Sequence, residues 1–179
     1  IEATRIIGEV LNKLHVVREN TVPGSITSLR RRFRALQQQA SNDKLAGRDT
    51  IYRRGATQAD MLLATAREQC LLHGDMHHEN VRHHPERGWL AFDPKGLFGE
   101  RTFDAANTLC NPVGMPDLVK DEARLLKNAD ILAETMEMDR DRLLQFTFAY
   151  ACLSAVWSAE DEQSSDLALA VAHMLEKHL

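Results

Sequence analysis

Cysteine, aromatic residues and long apolar runs are scarce in this sequence, and these shortages exclude several classes of protein. The three cysteines, Cys70, Cys110 and Cys152, lie far apart in apolar surroundings and form no CxxC pair. This pattern predicts buried free thiols in a reducing compartment, not a zinc ribbon or a redox motif. No apolar run reaches the roughly 18 residues that span a bilayer, and no secretory leader is visible. We therefore expect a cytoplasmic protein without a membrane partner.

A strong excess of charge of one sign is also absent. The chain has 22 Lys and Arg residues against 26 Asp and Glu residues, which is unlike a dedicated nucleic-acid binder. The arginines at residues 30–34 lie on the helix face opposite the apolar stripe that includes Phe33, so we interpret them as a solvated helix face and not as a surface on which bases stack. Residues 143–176 contain no Lys or Arg but several carboxylates, and this stretch is either a site for a cationic ligand or a solvated helix end.

Apolar side chains recur mostly at helical spacing, which predicts a series of amphipathic helices. A Pro23-Gly24 turn separates the first apolar stripe from a second helix, which Ser25 is expected to cap. Further helices are expected from Thr57 to about Glu68, over residues 118–136 and over residues 167–175. Residues 143–157 are apolar nearly all round and predict a central, buried helix.

The middle of the chain follows a different pattern. Residues 71–72 and 89–92 are short apolar runs bounded by Gly, Pro and polar residues, and they indicate short strands. Between and after them lie segments rich in Gly, His and Asp, at residues 73–80 and 93–104. The sequence therefore predicts a mainly α-helical, α+β domain in which a few short β-strands frame a polar loop.

This polar loop contains the residue types that phosphoryl transfer requires. Asp75 and Asn80 are separated by four residues, and Asp93 follows the second predicted strand. Phosphoryl transfer needs a carboxylate that orients the attacking hydroxyl, and oxygen ligands that hold magnesium against the phosphates. The order Asp, Asn, strand, Asp-x-x-Gly is also the order found in protein kinases.

The string His73-Gly-Asp75-x-His77-x-x-Asn80 resembles the HGDxHxxN loop of aminoglycoside phosphotransferases and related choline- and homoserine-kinase-type enzymes. The longer stretch over residues 71–112, with AVWSAED at residues 155–161, is most similar to the aminoglycoside/hydroxyurea kinase branch, which includes streptomycin 6-kinases. The resemblance implies a protein-kinase-like fold and transfer of the ATP γ-phosphoryl group to an alcohol, in antibiotic resistance or secondary metabolism.

The resemblance also implies roles for individual residues. Asp75 would be the catalytic base, and Asn80 and Asp93 would hold Mg²⁺. Asp104 would brace the loop from the start of the next helix, and His73 would pack and form hydrogen bonds near Asp93. Lys95 would contact phosphate or form a salt bridge, of which we favour the salt bridge.

Two motifs of a complete kinase are missing from the sequence. It contains no GxGxxG loop and no lysine in a VAIK-like strand context, although kinases use both to hold the nucleotide. We therefore expect residues 1–179 to correspond to the C-terminal, acceptor-binding lobe alone, without the N-terminal nucleotide-binding lobe. Such a piece would have little or no kinase activity by itself.

The acceptor is expected to be a cationic aminoglycoside such as streptomycin, with hydroxyurea as the second possibility. A polycation requires an acidic pocket, and Glu160 and Asp161, beside Trp157, are the candidate acceptor contacts together with Glu100. Two alternatives stay open. One is a non-catalytic, ligand-binding kinase-like module; the other is a metallohydrolase that uses the alternating His73, Asp75 and His77 as zinc ligands.

Overall fold

Helices form most of the part of the chain that the structure, a computed structural model, describes: residues 1–15 and 25–179. The helices are α1 (Glu2–His15), α2 (Leu29–Arg32), α3 (Arg34–Leu45), α4 (Ile51–Ala64), α5 (Thr102–Leu109), α6 (Pro116–Val119), α7 (Glu122–Met136), α8 (Arg140–Glu160) and α9 (Asp166–Glu176). The strands are β1 (Thr27–Ser28), β2 (Gln69–Leu72), β3 (Val81–His84), β4 (Gly88–Ala91) and β5 (Leu97–Glu100). The prediction of a mainly helical α+β protein is confirmed.

Helix α8 is the centre of the packing. Its side chains are apolar on nearly every face, and residues such as Phe146, Ala149 and Leu153 are fully excluded from solvent. The helix begins where Asp139 caps it by accepting a hydrogen bond from the backbone N–H of Arg142. It packs against α4, α5 and α9, which confirms the prediction of a buried helix over residues 143–157.

Several helix boundaries differ from the sequence-based expectation. Ser28, not Ser25, caps α2, because its hydroxyl accepts the backbone N–H of Arg31. The stripe over residues 118–136 is divided between α6 and α7, since Asp121 starts a new helix by accepting the N–H of Arg124. Helix α4 begins and ends earlier than predicted, with its buried face already starting at Ile51. The predicted Pro23-Gly24 turn lies outside the described residues.

The strands form two small sheets on either side of the polar loop. In the first sheet β5 lies between β1, with which it is parallel, and β2, with which it is antiparallel. The second is the antiparallel hairpin of β3 and β4. Strand β2 leads into residues 73–80, the hairpin follows, and residues 92–96 return the chain to β5. The two strands predicted from the sequence correspond to β2 and β4.

The three cysteine side chains are buried, as the sequence predicted. Burial raises the pKa of the Cys152 thiol to about 12, so this sulfur stays protonated and behaves as a small apolar group. Among residues 1–15 and 25–179, no helix combines the length and the apolar character that a bilayer-spanning segment needs.

Candidate active site

Residues 73–80, called here the Asp75 loop, leave the end of β2 and enter β3 through a short 3₁₀ helix, His78–Asn80. Gly74 has a positive φ of 81°, and a Cβ at this position would lie 2.8 Å from Cγ of Leu97. Glycine is therefore required both by the backbone conformation and by the close approach of β5. The carbonyl of His73 accepts the N–H of Lys95 at 2.8 Å, which joins the loop to the residues that precede β5.

Asp104, in the first turn of α5, binds the backbone at the start of the Asp75 loop. Its two carboxylate oxygens accept the backbone N–H groups of His73 and Gly74, both at 2.8 Å. The side chain is fully buried, and Nε2 of His15 lies 3.0 Å from the same Oδ2 that His73 contacts. Thr108, one turn further along α5, donates its hydroxyl to the carbonyl of Met76. Helix α5 thus holds the loop backbone directly, and α1 contacts Asp104 through His15. Asp104 lies at the start of the helix after the loop, where the resemblance implied it would be.

The His73 ring is buried and uses both of its nitrogens within the protein. Nε2 lies 3.0 Å from the carbonyl oxygen of Phe92, to which it donates, and Nδ1 accepts the backbone N–H of Asp75 at 3.3 Å. This is the structural position that the resemblance implied, directly beside Asp93. A ring with both nitrogens engaged is not free to bind zinc, which removes one ligand from the metallohydrolase alternative. Within the described residues there is no group of three or more His, Cys, Asp or Glu that is arranged to hold a metal ion.

Two contacts bring the three predicted site residues close together: a hydrogen bond within the Asp75 loop links Asn80 to Asp75, and Lys95 links Asp75 to Asp93. The amide nitrogen of Asn80 donates to the carbonyl of Asp75 at 2.9 Å, which leaves the amide oxygen as the atom available to a cation. The ammonium of Lys95 lies 3.0 Å from Oδ2 of Asp93 and 3.7 Å from Oδ2 of Asp75. The hydrogen bond to Asp93, followed by the charge of that carboxylate, raises the pKa of Lys95.

The residues at this position fit a magnesium ion. Magnesium prefers hard oxygen ligands and commonly binds through one or two carboxylates together with phosphate oxygens and water. Asp93 offers a carboxylate whose side chain is 63% exposed, and Asn80 offers an amide oxygen. The Lys95 ammonium between Asp75 and Asp93 shows that the carboxylates already attract positive charge there. Asp93 itself has a φ of 59°, in the left-handed region, which Asp tolerates better than most residues.

Asp75 also borders a cavity of about 560 Å³, called here the Asp75 cavity. Its Oδ1 receives a long hydrogen bond of 3.4 Å from the side-chain amide of Asn107. The walls come from the Asp75 loop, from the segment after α5 and from α8; besides Asp75 they include His77, Glu79, Asn111, Val113, Met115, Tyr150 and Ser154. Burial is the main cause that raises the pKa of Tyr150, so its hydroxyl remains protonated.

The structure contradicts one predicted acceptor contact. Glu100 is buried, and its two carboxylate oxygens accept hydrogen bonds from Nε and Nη2 of Arg142, each at 2.6 Å. The backbone N–H of Arg67 and the hydroxyl of Thr102 also donate to this carboxylate. Glu100 therefore joins β5 to α8 and to the segment that follows α4, and it does not line the Asp75 cavity.

The other three predicted acceptor contacts lie along the end of α8. Trp157 packs edge-to-face against Tyr150, with 6.4 Å between ring centroids, and carries the guanidinium of Arg32 over its ring. It is therefore next to a wall of the cavity but not part of it. Glu160 faces a separate cavity between α3 and α8, and the exposed Asp161 ends the helix.

Apart from Asp75 and His77, sequence reasoning missed the residues that line the Asp75 cavity. Glu79 stands directly before Asn80 within the motif, so its position in the loop was a usable signal. Tyr150 and Ser154 are four residues apart on a mostly apolar helix, and that spacing places them on one face. His15 carries no comparable local signal, because its partner Asp104 is 89 residues away in the chain.

Comparisons with known proteins agree on one family. Residues 1–162 match the family model described as aminoglycoside/hydroxyurea antibiotic resistance kinase. The chain is 40% identical over 164 residues to streptomycin 3''-kinase of Klebsiella pneumoniae, an overlap of 89% of this chain and 59% of that protein. It is 30% identical over 164 residues to streptomycin 6-kinase of Streptomyces griseus, covering 89% of this chain and 52% of the relative.

A further relative is the hydroxyurea phosphotransferase of Kitasatospora aureofaciens. It is 29% identical over 107 residues, which cover 59% of this chain and 29% of the relative. The chain thus covers 59% of the length of the Klebsiella streptomycin kinase and 52% of that of the Streptomyces griseus enzyme.

Proposed function

Because the chain belongs to the aminoglycoside/hydroxyurea antibiotic resistance kinase family, we propose that it takes part in transferring the γ-phosphoryl group of ATP to a hydroxyl group of a small molecule. One observation carries the proposal. The carboxylate of Asp75 borders an open cavity on one side and shares the Lys95 ammonium with Asp93 on the other. An acceptor hydroxyl and a metal-bound phosphate can therefore meet at this carboxylate.

Each residue then has a distinct task. Asp75 orients the acceptor hydroxyl and takes its proton as the acceptor oxygen bonds to the γ-phosphorus and the bond from that phosphorus to the leaving ADP oxygen breaks. Asn80 and Asp93 would hold Mg²⁺, and the bound ion would neutralise charge on the phosphates. Asp104 and His73 act as positioning residues, because their contacts to the backbone fix the direction of the Asp75 loop. Lys95 is part of the nucleotide-binding side of the site.

We place the described residues in the C-terminal lobe of a protein-kinase-like fold. The sequence has neither the Gly-rich loop nor the strand lysine that hold a nucleotide from above, and it covers only part of its relatives' length. The complete reaction would then require a nucleotide-binding lobe in addition to residues 1–179. Since ATP is the donor, the reaction belongs in the cytoplasm.

The Asp75 cavity favours streptomycin or a similar aminoglycoside as the acceptor, with hydroxyurea as the second candidate. A volume of about 560 Å³ is in the range of sites for drug-sized ligands and far exceeds what hydroxyurea requires. Asp75 and Glu79 give one wall negative charge, which suits a cationic acceptor. The names of the two streptomycin kinases point to the same class of compound.

The test is an acceptor screen on the complete gene product with ATP and Mg²⁺, in which mass spectrometry detects phosphorylated streptomycin or phosphorylated hydroxyurea. We expect streptomycin to be phosphorylated. The matched control is the 179-residue chain alone, which we expect to give little or no product. Robust turnover by that chain would refute the one-lobe proposal. Absence of any phosphorylated alcohol, across a panel of aminoglycosides and small hydroxyl compounds, would refute the kinase proposal.

A further inference from the structure

Lys95 occupies an unusual position among the charged residues of the site. Its ammonium contacts the carboxylate proposed as the base, Asp75, and the carboxylate proposed as the metal ligand, Asp93, at 3.7 and 3.0 Å. Two negative charges in one small region repel each other unless a cation lies between them. In this structure the cation between them is the Lys95 side chain.

The backbone directs this contact. The N–H groups of Lys95 and Gly96 both point at the carbonyl oxygen of His73, at 2.8 and 3.3 Å. A Cβ built on Gly74 would lie 3.4 Å from Cβ of Lys95, so the lysine stem begins against the Asp75 loop. An exposed ion pair between two freely moving side chains contributes little, but here the main chain on both sides of the pair is already fixed.

Magnesium and the lysine require the same oxygen atoms. A metal ion bound to Asp93 needs its carboxylate oxygens as ligands, and one of them is the atom that accepts the Lys95 hydrogen bond. An ammonium within about 4 Å of that oxygen also repels a divalent cation. The two cations therefore compete for Asp93. A displaced ammonium would remain within reach of phosphates held by the same metal ion.

We propose that Lys95 is the resident counter-cation of the Asp75–Asp93 pair. It holds the two carboxylates together before nucleotide arrives, yields Asp93 to magnesium, and turns its ammonium to the phosphate that is transferred. This inference rests on the proposed function. It predicts that one variant changes two quantities in opposite directions. Removal of the ammonium should increase the affinity for metal in the absence of nucleotide and should lower kcat in the presence of ATP.

The first experiment measures Mn²⁺ binding to the 179-residue chain without nucleotide, by electron paramagnetic resonance of the free ion. We expect Lys95→Met to bind Mn²⁺ roughly 30-fold more tightly than the unaltered chain, as for removal of one positive charge about 4 Å from a divalent ion in water. Lys95→Arg keeps the charge and should bind as the unaltered chain does. Lys44→Met removes an exposed lysine far from the site, on α3, and controls for net charge.

Asp93→Asn separates the two proposals. If Asp93→Asn abolishes Mn²⁺ binding while Lys95→Met leaves the affinity unchanged, the counter-cation role of Lys95 is overturned and the metal site stands. If Asp93→Asn binds Mn²⁺ as well as the unaltered chain, the metal site proposed above is overturned, and competition at Asp93 with it.

The second experiment follows turnover of the complete gene product as Mg²⁺ is varied at saturating ATP. We expect Lys95→Met to lower kcat and also to lower the Mg²⁺ concentration that gives half-maximal rate, whereas Lys44→Met changes neither. A purely structural role would lower kcat together with the thermal unfolding midpoint and would not reduce the Mg²⁺ requirement. An unchanged kcat in Lys95→Met would overturn the contact with the transferred phosphate.

Discussion

The two faces of the Asp75 loop have opposite physical character. On the inner face His73, Gly74 and Met76 are buried, and Asp104 and Thr108 hold their backbone groups. On the outer face the side chain of Asp75 is 31% exposed, and Glu79 is exposed to solvent. On the inner face, buried hydrogen bonds hold the backbone where water cannot replace them. On the outer face, the side chains are accessible to a substrate.

This difference shows how one short segment can hold its reactive side chains in fixed positions and still leave them accessible to a substrate. Hydrogen bonds to the main chain on the inner face position these side chains without enclosing them. Substitutions on the inner face should therefore reduce stability first, and substitutions on the outer face should reduce chemistry with little effect on stability. The four predictions below test this division, beginning with the largest expected effect.

Replacement of Asp75 by Asn removes the proposed base while keeping the shape of the side chain. We expect kcat of the complete gene product to fall about 10³-fold, within the usual range for loss of a general base, with nucleotide affinity nearly unchanged. The thermal unfolding midpoint should stay within the experimental spread, because the side chain is partly solvated. Steady-state kinetics and calorimetry on the same sample make the comparison.

Asp117→Asn is the control for this variant, since Asp117 is an exposed carboxylate on α6. It should leave both kcat and the midpoint unaltered. Wild-type turnover in Asp75→Asn would eliminate Asp75 as the base. A large drop in its midpoint would instead show that the outer face contributes to stability, against the division described above.

Replacement of Asp104 by Asn should destabilise the fold by about 3 kcal/mol, because a buried carboxylate loses charge-assisted hydrogen bonds. The matched control is Asp43→Asn, which removes another buried carboxylate that accepts from Arg48 and Thr50 far from the loop. Both variants should lower the urea midpoint. In hydrogen exchange, only Asp104→Asn should increase exchange at the amides of His73 and Gly74; equal protection in the two variants would contradict the bracing role.

Replacement of Glu79 by Gln sharpens the comparison on the outer face. Loss of this one exposed charge should raise the KM for a polycationic acceptor about 5-fold, with little change in kcat and none in the urea midpoint. Glu86→Gln, on the turn between β3 and β4, removes an equal charge outside the cavity and should leave KM unchanged. A KM for streptomycin that is the same in all three proteins would exclude Glu79 from acceptor binding.

The smallest effect concerns His78, a half-buried residue at the start of the 3₁₀ helix in the Asp75 loop. Burial, followed by the positive charge of Arg124, lowers the pKa of His78 in the folded protein. Below the ordinary value of about 6.5 the unfolded chain takes up the proton first, so stability is full above that pH and is lost as the pH falls through the folded pKa. In His78→Gln the urea midpoint should fall less steeply as the pH is lowered below about 6.5. The same slope in the variant and the unaltered protein would show that His78 does not cause this loss of stability.

The sequence predicts well whatever depends on local periodicity. The buried helix α8 follows from an all-round apolar composition, and the spacing of Asp75, Asn80 and Asp93 follows from the motif. Ser28 took the capping position assigned to Ser25 because the chain forms a two-residue strand, β1, before α2 begins. Strand β1 exists only through pairing with β5, about 70 residues later, and such pairing leaves no local trace.

Residues whose role depends on distant partners were harder to predict. Glu100 looked like an acidic contact for a cation, but Arg142 and the backbone of Arg67 bind it internally. Glu160 and Asp161 share a helix with Tyr150, yet only Tyr150 and Ser154 face the Asp75 cavity. A carboxylate has the same local signal whether it is solvated, paired or facing a ligand, so the tertiary partner decides.

The left-handed backbone of Asp93 restricts the evolution of this position more than its chemistry alone would. Glycine would adopt the same conformation easily but would provide no ligand, and glutamate would provide a carboxylate but at a greater conformational cost. Aspartate and asparagine are the residues that combine tolerance of positive φ with an oxygen on a short side chain. Of these two residues only aspartate carries the negative charge that the proposed Mg²⁺ site uses, so the backbone conformation and the metal ion together specify a single residue at position 93.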